Sequence, residues 1–230
     1  MGLVEYQRLT SLLASLDDVQ WSAETECVGW DVRAMACHIL GAAEFDSLST
    51  LLRGAIRGRL ALRRIGSSDL VDGINEVQIR DRAGLSTVQI VEQLVAAAPR
   101  AVSFRRNVPW VVRRLPIGVP MIGKVAASEL FDSIFSRDVW MHRLDTCRAT
   151  STPMQLDDVH DGRLVALLVR EWAGRHGRSF TLHLTGIAGG DFTGQGLGDC
   201  VELALDAVEF ARVVSGRVKE EGLLATMVAF

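Results

Sequence analysis

The sequence lacks the features that mark membrane-spanning, secreted and disulfide-rich proteins. Its apolar runs are shorter than the roughly 18 residues that a bilayer-spanning helix needs. Acidic residues come early at the N-terminus, and no long apolar core follows them, so a signal peptide is not expected. The four cysteines are scattered without a C-x-x-C pair, which fits a reducing compartment. We therefore expect a soluble, cytoplasmic protein.

A strong excess of charge of either sign is also lacking. The formal net charge is -3 and the sequence pI is about 6.0, whereas a nucleic-acid-binding protein is usually basic. The one basic stretch, residues 53–64, is typical of the solvated face of a helix. The charge balance therefore predicts no nucleic-acid partner, and the short apolar runs predict no membrane partner.

What the sequence does contain is a helical pattern over its first two-thirds. Asp31 is placed to cap a helix that runs to about residue 52, and Ser86 is placed to cap another. Residues 109–120 contain three of the five prolines and are predicted to form a loop, and residues 124–149 are predicted to form one long helix. Several helices with short links favour a helix bundle over residues 1–153.

Beyond the Thr-Ser-Thr-Pro linker at residues 150–153 the pattern changes. Residues 156–176 are helical, whereas residues 179–186 and 200–206 alternate as strands do. The glycine-rich stretch between these strands lacks G-K-[ST], so a β-turn is favoured over a phosphate loop. The predicted fold class is α+β, with a small α/β domain over residues 154–230.

One helical stripe carries polar groups that are costly to bury. Asp138, His142 and Asp145 are four and three residues apart and share the inward side of the last bundle helix. Asp138 and His142, at i and i+4, can present two ligands to one divalent metal, with His38 of another helix as the third. Asp145 either orients the His142 imidazole or faces solvent. From spacing alone, a hydrogen-bonded surface pair and a core histidine remain the alternatives.

Arginines near the C-terminus leave two interpretations open. Arg212 and Arg217 follow an amphipathic stretch that closes on Ser-Gly. Such arginines can bond the last carbonyls of a helix. They can equally bind an anionic group through two parallel hydrogen bonds.

Five stretches, in order, resemble the mycothiol-dependent maleylpyruvate isomerase family of actinobacteria. They lie within residues 21–41, 75–82, 137–145, 182–190 and 204–217, and read W…ECVGWDVRAMACHILG, NEVQIRDR, RDVWMHRLD, LHLTGIAGG and ALDAVEFARVVSGR. The resemblance covers nearly the whole chain. It implies that the N-terminal part is a DinB-like metal-binding four-helix bundle.

For the site, the resemblance implies a divalent metal, commonly zinc, held by His38, Asp138 and His142. The isomerase has a glutamate where this chain has Asp138, which is one methylene shorter. The resemblance also implies that Arg217 is the catalytic arginine of the C-terminal domain. Mycothiol would be the cosubstrate, and its metal-activated thiolate would add to a small electrophilic substrate.

Two classes of function follow. The first is a mycothiol-utilising enzyme, isomerase-like or thiol S-transferase-like. The alternative is a non-catalytic DinB-like protein that binds a metal or a small ligand. In either case the expected partners are small molecules, and the protein is expected to be a monomer or a homodimer.

Overall fold

The computed structural model describes residues 2–119 and 123–230. The chain divides into two units, Met1–Pro153 and Met154–Phe230. The elements of the first unit are α1 (Gly2–Ser15), α2 (Asp18–Trp21), α3 (Val32–Ala43), α4 (Leu48–Ile65), α5 (Leu70–Arg80), α6 (Thr87–Asn107), α7 (Trp110–Arg113), β1 (Pro116–Val119), β2 (Gly123–Ala126), α8 (Ala127–Glu129) and α9 (Phe135–Ala149).

Four of these helices form the predicted bundle. α1 packs on α6 and α9, and α3 packs on the same two helices, so the four surround one apolar interior. Residues buried there include Leu9, Met35, Ile39, Leu94 and Val139. α4 and α5 pack against each other, and α5 joins the bundle through α3. The arrangement confirms the predicted helical N-terminal part.

Capping residues set where the helices begin. Asp31 accepts a hydrogen bond from the Ala34 amide at 2.7 Å and caps α3, as predicted. Ser86 caps α6 with a capping box. The helix predicted to run on to residue 52 instead ends at Ala43, because Ser47 forms a second capping box and starts α4.

The predictions for residues 109–149 are wrong in part. The described part of 109–120 is not a loop but contains α7 and β1, which pairs antiparallel with β2. Ile117 of β1 packs into an apolar cluster with Phe131, which stabilises the hairpin. The predicted long helix is therefore β2, α8, a π-helical turn at Leu130–Ile134, and α9. Pro120 lies outside the described residues.

The second unit is a small α/β domain, which completes the predicted α+β class. It consists of α10 (His160–His176), β3 (Arg178–Thr185), β4 (Gly190–Gly194), β5 (Leu197–Asp206) and α11 (Ala207–Val214). The strand order is β4-β3-β5, with β3 antiparallel to β4 and parallel to β5. The glycine-rich stretch is thus not merely a turn, because it contains β4.

Within residues 2–119 and 123–230, no helix has both the length and the apolar character to cross a bilayer.

Candidate functional site

His38, Asp138 and His142 lie together inside the first unit. α3 carries His38, and α9 carries the other two, one turn apart. The Asp138 carboxylate lies between the two imidazoles, with Oδ2 3.6 Å from His38 Nε2 and Oδ1 3.3 Å from His142 Nε2. One ligand atom from each residue lies within 4.8 Å of the others, which is close enough to share one metal ion. The aspartate thus reaches both imidazoles despite its short side chain.

The other ring nitrogen of each histidine is occupied. His38 Nδ1 lies 2.8 Å from Gln78 Oε1, and His142 Nδ1 lies 3.1 Å from Asp145 Oδ2. An oxygen at Nδ1 keeps a proton there, so Nε2 is the nitrogen that each ring presents to Asp138, and it can bind a metal once its own proton is lost. Asp145 is fully buried, so of the two alternatives for this residue, orientation of His142 is the one observed.

The three groups strongly influence one another's charge. Burial alone would raise the pKa of Asp138, but the adjacent His142 and His38 outweigh burial and hold that pKa far below its usual range. Burial likewise would lower the pKa of His142, but the Asp138 carboxylate raises it well above its usual value. Without a metal, the cluster therefore holds a carboxylate beside an imidazolium, and a bound cation displaces a proton.

The site is bordered by an aromatic ring and a thiol. The Trp30 ring centroid lies 5.0 Å from that of His38 and 6.1 Å from that of His142. Cys27 Sγ lies 3.7 Å from Asp145 Oδ2, on the side of His142 away from Asp138. Cys27, His142 and Asp145 also lie close enough to form a second possible ligand group, which shares His142 with the first.

Two more polar groups, which no motif predicted, are buried near Asp138. Among the described residues, neither the Tyr6 hydroxyl nor Arg105 Nε has a hydrogen-bond partner. Arg105 Nη2 donates to the Ala42 carbonyl at 3.1 Å, and the guanidinium lies 4.0 Å from the Phe135 ring centroid. Burial raises the pKa of Tyr6, and the positive charge of Arg105 opposes that rise. The bundle interior around Tyr6 is therefore cationic as well as aromatic.

Gln78 is the site residue that the sequence did not reveal as functional. It lies on α5, 40 residues from His38, and its side chain is buried. Gly41 makes this contact possible, because a Cβ atom at Gly41 would lie 2.5 Å from Gln78 Cγ. Arg82 Nη1 also donates to the backbone carbonyl oxygen of Gln78 at 2.7 Å. The only sequence signal was that Gln78 lies in the NEVQIRDR stretch.

Replacing Gln78 with leucine tests its effect on His38. Without the Oε1 acceptor, the imidazole is free to rotate or change tautomer, and we expect affinity for a divalent metal to fall about 10–100-fold. Gln78→Glu keeps an acceptor and is expected to retain most of the affinity. Competition titration with a chromophoric chelator measures both. Gln93→Leu, on the exposed side of α6, is the control, and an equal loss in that variant would contradict the assignment.

The residues present fit a divalent metal. Two neutral imidazole nitrogens and one carboxylate oxygen form a common ligand set of catalytic zinc sites, which keep a further position open. Both imidazoles present Nε2 to the Asp138 carboxylate, and both Nδ1 atoms are held by oxygen, as in nearly all metal-binding histidines.

Arg217 lies in the second unit, directly after α11. It is half-buried, and its backbone amide donates to the Arg212 carbonyl at 3.0 Å. Gly216, before it, has a φ of 81°, which a glycine adopts without strain. The assignment of Arg217 as a catalytic residue remains a prediction.

A family comparison identifies the first unit. The sequence profile described as "Mycothiol maleylpyruvate isomerase N-terminal domain" matches residues 4–147, which is more than half of the chain. The chain belongs to this family. The match spans α1 to α9 and includes all three clustered side chains of the site.

Solved structures extend the comparison to the whole fold. A crystal structure of the mycothiol-dependent maleylpyruvate isomerase has a TM-score of 0.52 and 14% identity, covering 94% of this chain and 86% of that chain. A histidine-to-alanine variant of that enzyme gives a TM-score of 0.53 at the same identity and coverage. At this identity the likeness shows a shared fold. No curated protein matches the chain in the corresponding sequence search.

Proposed function

We propose that the chain is a metal-dependent, mycothiol-utilising enzyme, either maleylpyruvate isomerase-like or thiol S-transferase-like. The observation that carries the proposal is the convergence of His38, Asp138 and His142 in a member of this family. Membership of the family supports mycothiol as the thiol. The geometry of the three possible ligands supports activation of that thiol by a metal. Cytoplasmic location is part of the proposal, since mycothiol would be supplied there.

His38 Nε2, the Asp138 carboxylate and His142 Nε2 would hold the metal, for which zinc fits the ligand set best. When bound, a divalent metal lowers the pKa of a thiol at its open position, so that thiolate forms at neutral pH. Residues of the chain would fix where that open position lies. Gln78 and Asp145 fix the two imidazoles, and Asp138 offsets part of the cation's charge.

In the proposed reaction, the thiolate acts as a nucleophile on an electrophilic substrate. The thiolate sulfur adds to a carbon of a conjugated double bond, and the displaced electron pair moves onto the conjugated carbonyl. The former double bond can then rotate, and loss of the thiolate restores it in the other geometry. In a transferase the new sulfur–carbon bond is kept instead. Arg217 is proposed to bind a carboxylate of the substrate through two hydrogen bonds.

A non-catalytic metal- or ligand-binding protein is the second candidate. One observation favours it: the Asp138 carboxylate lies 3.6 Å from His38 Nε2 and 3.3 Å from His142 Nε2, so the three side chains can pair with one another without a metal. Such a cluster is stable as a structural element of the bundle.

Calorimetric titration of mycothiol separates these two functions. The zinc-loaded protein is expected to bind about one thiol per chain, whereas the chelator-treated protein and His38→Ala are expected not to bind. Mycothiol blocked at sulfur by methylation is the ligand control and is expected to bind more weakly. Equal binding by loaded and metal-free protein would contradict metal activation, and no binding by either would favour the non-catalytic protein.

A further inference from the structure

The two sides of α4 have an unusual distribution of side chains. An ordinary surface helix buries its large apolar residues. α4 does the opposite: its buried residues are Gly54, Gly58 and Ala61, while Leu52 and Leu60 are 63% and 67% exposed. The glycines are needed for close approach, because a Cβ atom at Gly58 would lie 2.6 Å from an Ile74 side-chain atom of α5. The leucines are therefore available to a partner.

The exposed side of α4 is also strongly basic. α4 contains five arginines and no acidic residue. Arg57 pairs with Asp81, but Arg53, Arg59, Arg63 and Arg64 form no ion pair with any described residue. Leu48, Leu52, Ile56 and Leu60 are four residues apart, so they form a ridge along the helix with arginines beside it.

α7 contributes further exposed apolar and basic side chains next to α4. Trp110 is 66% exposed, and the Arg114 guanidinium lies 4.9 Å from its ring centroid. α7 adjoins α4, since Leu51 and Val112 pack into one apolar cluster. We call the exposed surfaces of α4 and α7 the basic apolar face.

Positive charge is concentrated on this face. α4 and the stretch of α7 with Arg114, residues 48–65 and 110–114, hold seven of the 25 lysines and arginines and none of the 28 aspartates and glutamates, although Arg113 pairs with Asp132. The net charge of -3 therefore conceals a cationic surface on an otherwise acidic protein. A helical surface that combines aliphatic side chains, tryptophan and arginine suits the interface of an anionic bilayer. There the aliphatic groups enter the acyl boundary, while guanidinium groups meet lipid phosphates.

We infer that the basic apolar face binds anionic membrane surfaces peripherally. Charge complementarity favours this partner over the others. A second copy placed symmetrically would oppose arginines with arginines and supply no acid. A nucleic acid would match the arginines but would leave the leucine ridge in water. The expected absence of a membrane partner was based on the absence of a spanning segment, which does not bear on binding at the surface.

Vesicle cosedimentation of the full chain tests the inference. Vesicles of phosphatidylcholine with a quarter phosphatidylglycerol are expected to bind the protein, and phosphatidylcholine alone to bind it about tenfold less or weaker. Leu52→Glu with Leu60→Glu, and separately Arg59→Glu with Arg63→Glu, should each reduce binding about tenfold or more. Added salt should weaken binding, because it screens the arginines.

Val19→Glu is the matched control, because Val19 is an 80% exposed apolar residue of α2, outside the face. It should leave vesicle binding unchanged, and thermal melting should show that every variant is folded. Three results would overturn the inference: no binding to either vesicle, equal binding to both, or an equal loss with Val19→Glu. Self-association that the Leu52→Glu, Leu60→Glu variant abolishes, without vesicle binding, would assign the face to a second copy instead.

Discussion

Replacing His38 with alanine is expected to abolish stoichiometric metal binding. Protein purified without chelator should contain about one divalent ion per chain, and the variant almost none. His38 is the only ligand of the proposed set that α3 provides, so its loss leaves an i, i+4 pair from α9 alone. The loss should exceed the 10–100-fold that removal of an outer partner such as Gln78 causes. Elemental analysis of the dialysed protein measures it.

The control for this variant is another histidine. His183→Ala removes an exposed imidazole of β3 that lies 2.7 Å from Asp191, and it should leave the metal content unchanged. His38→Gln keeps most of the side-chain volume, so metal loss there would not reflect a cavity in the bundle. If the His38 variants kept a full equivalent of metal, the proposed ligand set would be wrong.

Replacing Arg143 with methionine is expected to lower the free energy of unfolding substantially. Arg143 on α9 bonds Glu5 on α1 through two nitrogens, at 3.0 and 3.3 Å, and both side chains are buried. Removing one partner leaves a buried carboxylate without its main counterion, which costs about 3–5 kcal/mol. The pair joins α1 to the α9 turn that carries His142, so weaker metal binding should accompany the loss. Urea unfolding measures the free energy.

A neighbour on the same helix provides the comparison. Arg148 lies near the end of α9 and pairs with Glu26 at 3.3 Å in a half-exposed setting. Arg148→Met should therefore cost less than about 1 kcal/mol. Combining Glu5→Leu with Arg143→Met removes both buried charges and should restore much of the stability. Similar losses from Arg143→Met and Arg148→Met would show that burial of the first pair has no energetic consequence.

Local patterns predicted the parts of the fold that depend on local chemistry. Asp31 and Ser86 cap helices as predicted, because an N-cap is a contact between residues three apart. The predicted C-terminal end of the helix after Asp31 was wrong, because Ser47 has a capping box that the apolar pattern did not reveal. The hairpin of β1 and β2 depends on packing against Phe131, which no local pattern contains.

The residues of the candidate site were likewise predictable only where they share one helix. Asp138, His142 and Asp145 share one helix, so their spacing alone placed them on one side of it. The contact of His38 with this group was a hypothesis about tertiary structure that the family resemblance strengthened. Gln78 could not be predicted, because its role depends on a third helix and on the missing side chain of Gly41. Contacts between helices are properties of packing, and one sequence contains no direct signal for them.

X-ray absorption at the zinc edge tests the account most directly. The zinc-loaded protein should show imidazole nitrogen and carboxylate oxygen scattering at about 2.0–2.2 Å and no sulfur. Adding mycothiol should introduce one sulfur at about 2.3 Å, and His38→Ala should show neither pattern. A spectrum with sulfur ligands before the thiol is added, or with none after it, would contradict a His38–Asp138–His142 centre that binds and activates a thiol.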